Sequence, residues 1–106
     1  MIETMFLVPE RDNAGRRFAR EFWLALEARL TRAFGGFTER RGVRGVWVHG
    51  GRVYRDRSRE FTVALDTWGQ LPAWLAIVEL ARIEARQEAI YIRIGGIPEV
   101  WTGWPR

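Results

Sequence analysis

The spacing of apolar residues changes character four times along these 106 residues, and that succession constrains the fold more than any motif does. Residues 2–8 (IETMFLV) are a short run of strand formers stopped by Pro9. Across residues 16–34, Phe18, Phe22, Leu26, Leu30 and Phe34 recur at helical spacing, joined by Ala19, Trp23 and Ala33, with arginines and glutamates opposite. Asp12 and Asn13 stand ahead of this segment as turn or cap residues, and Gly35-Gly36 follows it as a stop. Residues 37–49 and 52–66 read as two strands about the turn His49-Gly50-Gly51-Arg52. In the second, Phe61, Val63 and Leu65 alternate with polar positions, so one face is core, while residues 55–59 are expected to bulge. Pro72 suits the first turn of a helix over 72–86, whose core face would carry Trp74, Leu75, Val78, Ala81 and Ala85. Residues 89–94 alternate again, which makes them a closing strand before Gly95-Gly96.

Strand, helix, strand, strand, helix, strand with right-handed crossovers gives an α+β domain of the ferredoxin-like βαββαβ type. A four-stranded antiparallel sheet, order 4-1-3-2, would carry both helices on one face. One domain over 1–106 is expected, with residues 97–106 an aromatic tail packed on the domain or on a partner.

The succession P-x-R-D-N-x-G-x-x-F from Pro9, then F-G-G-F-T from Phe34, then G-V-W from Gly45 and a Gly-Gly hairpin resembles a family of short, uncharacterised bacterial proteins. The likeness covers mostly residues 9–51 and consists of turn and capping features. It implies the fold and brings no established activity with it.

Composition removes several chemistries. There is no cysteine, hence no disulfide, zinc ribbon or thiol nucleophile. All 17 basic residues are arginine, which excludes a phosphate-loop lysine and a Schiff base. That bias fits a GC-rich genome, and the scarcity of Asn, Gln and Met fits a thermophilic source. His49 is the only histidine and Ser58 the only serine, so no metal, catalytic dyad or cofactor is expected. The acids at hand are Asp12, Asp56, Asp66 and Glu88, each at the end of an element, and no catalytic residue stands out. No apolar run would span a bilayer, and MIETMFLVPE carries acids where a secretion signal carries bases, so a cytoplasmic protein without membrane contact is expected.

Two surfaces remain for a partner. Arg40, Arg41, Arg44, Arg52, Arg55, Arg57 and Arg59 crowd the central hairpin and could hold an anion, nucleic acid included, or guard a sheet edge. A thin base-stacking platform would draw on Tyr91, Arg93 and Phe6, although the third strand lacks the aromatic signature of RNA-binding domains. Ile77, Leu80, Ile83, Trp101 and Trp104 form a second apolar stripe suited to a homodimer. The sequence thus favours a non-enzymatic binding or assembly module that self-associates. Its alternatives are a basic nucleic-acid-associated protein and a small enzyme with an aspartate or His49 at a dimer cleft.

Overall fold

The computed structural model describes residues 1–105. Its elements are β1 (Ile2–Pro9), α1 (Arg20–Phe34), β2 (Thr38–His49), β3 (Arg52–Leu65), α2 (Leu71–Glu84, entered through a 3-10 turn at Trp68–Gln70), β4 (Ile90–Ile94) and β5 (Ile97–Trp101). They make the expected α+β arrangement of an antiparallel sheet and two helices, with the strands in the order β2-β3-β1-β4-β5. Four strands were expected and five are present. The first four neighbours are as read, while the supposed tail turns at Gly95-Gly96 and pairs Ile97–Trp101 with β4. Pro98 is tolerated there because β5 is an edge strand with one side free of ladder bonds.

Alternation puts Phe6 and Val8 of β1, Phe61, Val63 and Leu65 of β3, and Ile90 and Ile92 of β4 on one face. There they meet Trp23, Leu26 and Leu30 of α1 and Trp74, Val78 and Ala81 of α2. Phe61 is the hub, with ring centroids 5.3 Å from Phe6, 5.8 Å from Phe37 and 6.3 Å from Trp23. Phe6 is wholly buried beside Trp74, so it is not available to a platform on the open sheet face.

The first helix starts four residues later than its periodicity suggests. Ala19, at its N-cap, makes no side-chain hydrogen bond, and the entry is fixed instead by Phe18 against Trp23, 6.0 Å edge to face, an apolar staple across the first turn. Asp12 serves the preceding loop: its Oδ1 accepts the amides of Ala14 (2.9 Å) and Arg16 (2.8 Å). Those bonds favour the carboxylate, with the Arg16 amide the largest cause, and hold Asp12 below its ordinary pKa of 3.8. The stability Asp12 adds is therefore present above that ordinary value and lost as pH falls from there through the lowered one. An Asp12→Ala variant is expected to melt below wild type at neutral pH, with the gap closing in acid and amide exchange at Ala14 and Arg16 accelerated. Equal melting at both pH values would assign the loop to other contacts.

The expected bulge is on the other strand. β3 runs unbroken, whereas β2 shifts register between Arg40 and Val43, where Gly42 holds φ +67° and its amide donates to Glu10 Oε1 at 3.0 Å. A left-handed residue inside a strand is the work of glycine, and the bulge increases the local twist. Beyond it β2 and β3 leave the sheet: β1 pairs with β3 only from Ser58 onward, so residues 43–57 form a two-stranded arm closed by Gly50-Gly51.

Candidate functional site

The root of this arm carries charged side chains that form no salt bridge among the described residues. On the face of the sheet away from the helices, Leu7, Pro9, Val43, Gly45, Trp47, Asp56, Ser58, Gln87, Ala89 and Tyr91 line a depression of about 240 Å³. Asp56 lies directly opposite Gly45 in the ladder, and its carboxylate leans across the partner strand so closely that a Cβ at Gly45 would lie 2.7 Å from Oδ1. Asp56 makes no salt bridge among the described residues. Burial pushes its pKa up from 3.8, and no nearby charge opposes that rise. Ser58 is 5% exposed beneath it, and the indole of Trp47 stands 51% exposed at its rim. A half-buried carboxylate without a salt-bridge partner, set among apolar and aromatic side chains, has the chemistry to receive a cation.

A broader, open cleft of about 1650 Å³ runs between the arm and the loop leading into α1, and it shares Gly45, Trp47 and Asp56 with the depression. Six of the seven hairpin arginines line it. Arg40 does not, being paired with Glu60 at 3.0 Å. Arg41 and Arg59 share Glu39, at 2.8 and 3.6 Å, and the Arg59 guanidinium lies 3.9 Å over the Trp23 ring. Burial first, and then the charge of Arg41, lower the pKa of Arg59. Arg52 stacks on Tyr54 at 5.5 Å, while Arg44, Arg55 and Arg57 have no acid partner among the described residues.

At its tail end, the apolar stripe expected to self-associate makes contacts within the chain. Trp101 Nε1 donates to Glu79 Oε1 at 3.1 Å, Arg82 holds the same carboxylate at 2.6 Å, and Trp104 meets Trp101 edge to face at 4.8 Å. Ile77 and Trp101 are half-buried, and Leu80, Ile83 and Trp104 are exposed. His49 sits exposed at the arm tip, Asp66 and Glu88 are exposed, and Tyr91 faces the depression while Arg93 lies on the same open face. No group of three or more histidine, aspartate or glutamate side chains is placed to hold a metal among the described residues. No helix of the described residues is long and apolar enough to cross a membrane.

No family model and no curated protein matches the chain. Two solved structures do. A phage SAM lyase in complex with S-methyl-5'-thioadenosine matches with TM-score 0.72 at 14% identity, covering 99% of this chain and 92% of that one. A phage SAM lyase in the apo state matches with TM-score 0.63 at 17% identity over the same shares. At these identities the likeness shows a shared fold. It also corrects the expectation of a non-enzymatic assembly module: the architecture matched end to end is that of an enzyme, and neither match is to a nucleic-acid-binding protein.

Proposed function

We infer that the chain is a small enzyme acting on a sulfonium nucleoside of the S-adenosylmethionine class. The observation that carries this reading is Asp56, a carboxylate without a partner set among Leu7, Val43, Trp47 and Tyr91, on a fold shared over 99% of the chain with a SAM lyase. A sulfonium is a permanent, weakly hydrated cation, which suits one carboxylate with aromatic neighbours better than it suits water. The depression takes the sulfonium end. The nucleoside continues past Trp47 into the wider cleft, whose lining overlaps that of the depression.

A lyase reaction on such a substrate breaks a carbon–sulfur bond without water. The bonding pair goes to sulfur, which leaves as a neutral thioether, and the carbon is satisfied within the substrate, by attack of its own carboxylate or by loss of a neighbouring proton. Either route removes the sulfonium charge, so the apolar lining of Leu7 and Val43, which solvates a neutral product better than a cation, favours it. Asp56 binds the cation, and with its raised pKa it is also the stronger base for the second route.

Incubation with S-adenosylmethionine should release S-methyl-5'-thioadenosine with no second substrate, read by chromatography. S-adenosylhomocysteine, whose sulfur is neutral, should bind about tenfold more weakly, and Asp56→Asn should weaken S-adenosylmethionine by a similar factor. Binding should also fall as pH drops through the raised Asp56 pKa, because the attraction requires the carboxylate. The linkage to stability has the opposite sign. A carboxyl whose folded pKa is raised contributes stability below its unfolded value that is lost as pH rises through the folded one, so Asp56→Asn should melt no lower than wild type at neutral pH. No thioether release and equal affinity for the charged and neutral sulfur compounds would defeat the reading.

A further inference from the structure

We propose that the cleft beneath the arm is a binding site for a compact oligophosphate, held by Arg44, Arg55 and Arg57. Strand alternation puts Arg55 and Arg57 on the same face of β3 as Phe61, the face turned toward α1, and the ladder places Arg44 directly across from Arg57. Two like charges facing each other across a ladder repel, and among the described residues neither has an acid partner. The cleft is lined by nine arginines and four acids, a difference of five positive charges. Two of those acids are already committed to the backbone: Glu10 to the Gly42 amide, and Asp12 to the amides of Ala14 and Arg16.

The placement favours a short chain of phosphates over a lone ion or a polymer. Arg55 and Arg57 stand two residues apart, about 6.6 Å along the strand, so their forks reach separate phosphate groups, while Arg44 joins Arg57 on one of them. Arg17, from the opposite wall, lines the same concavity. A duplex or a long single strand tracks a convex or continuous basic surface, whereas these arginines line a cleft. Arg40, the hairpin arginine outside the cleft, is neutralised by Glu60.

The test is calorimetric titration of the intact chain at about 50 mM salt with inorganic triphosphate, orthophosphate and a 20-nucleotide single strand. Triphosphate should bind at least tenfold more tightly than orthophosphate. The double variant Arg55→Ala/Arg57→Ala should lose at least tenfold in triphosphate affinity. Arg44→Glu should do the same, so the result does not hang on one pair of truncations, and Arg40→Ala should bind like wild type. Asp56→Asn should bind triphosphate at least as tightly as wild type, which keeps this site separable from the sulfonium reading. Equal affinity for triphosphate and orthophosphate would overturn the proposal, as would retention by both arginine variants. Tighter binding of the oligonucleotide, lost equally in Arg40→Ala, would overturn it in favour of a diffuse polyelectrolyte surface.

Discussion

Replacing Phe61 with alanine is expected to destabilise the chain by about 3–5 kcal/mol, the range for deleting a fully buried phenylalanine side chain. Phe61 is 0% exposed and is the ring on which β1, α1 and the approach to β2 meet, through Phe6, Trp23 and Phe37. Its loss removes three ring contacts together and leaves a void that the flanking Val63 and Leu65, held in ladder register with β1, are poorly placed to fill. A domain of this size commonly has only about 5–15 kcal/mol in all, so the midpoint of thermal unfolding should fall by roughly 15–25 °C. Phe61→Leu keeps an apolar side chain in the space and should cost well under half as much. Denaturant unfolding of the two variants decides it. Similar midpoints for Phe61→Ala and wild type would mean that the aromatic cluster is not the centre of the core.

Phe61 also shows how far the sequence could be read. Its alternation with Val63 and Leu65 fixes which face of β3 is buried, and one buried face is enough to set the register of β1 and the side on which both helices pack. The fifth strand was missed for an identifiable reason. Gly95-Gly96 between two short apolar runs is the same signal that locates the turn at Gly50-Gly51, but the sequence reading takes it as the end of a strand followed by a tail, and Pro98 fits the strand because β5 lies at the sheet edge. The charged run at 55–59 suggests a bulge in β3, whereas the residue able to hold a left-handed conformation is Gly42 across the ladder, and the bulge lies there. Asp56 was visible as one acid among four. Its distinction arises from what the register brings to it: Gly45 opposite, Ser58 beneath, and Pro9, Gln87 and Tyr91 from three other segments at the root of the arm. Such a site is spread over contacts between residues far apart in the chain, and no local spacing carries it.

That dependence on register supplies the sharpest separation of folding from ligand binding. Gly45 lies within β2 without a left-handed backbone, so alanine introduces no dihedral strain there and suits a strand slightly better than glycine does. The new Cβ would nevertheless stand 2.7 Å from Asp56 Oδ1, with no other heavy atom but the Asp56 carboxyl carbon, at 3.8 Å, inside 4 Å. The backbone therefore need not move, and the Asp56 side chain must. Gly45→Ala is expected to unfold within about 1 kcal/mol of wild type, as surface changes away from core packing and special backbone angles do. It should still lose S-adenosylmethionine affinity by at least tenfold, because the displaced carboxylate no longer faces Trp47 and Tyr91 across the depression. Affinity for the neutral thioether should change less, since that compound never drew on the charge. Both quantities come from one set of fluorescence titrations and one pair of denaturant curves. If Gly45→Ala binds the sulfonium compound like wild type, Asp56 is not its receptor. If instead the variant is severely destabilised, the ladder at the root of the arm is tighter than its open face suggests, and Asp56→Asn becomes the variant that decides.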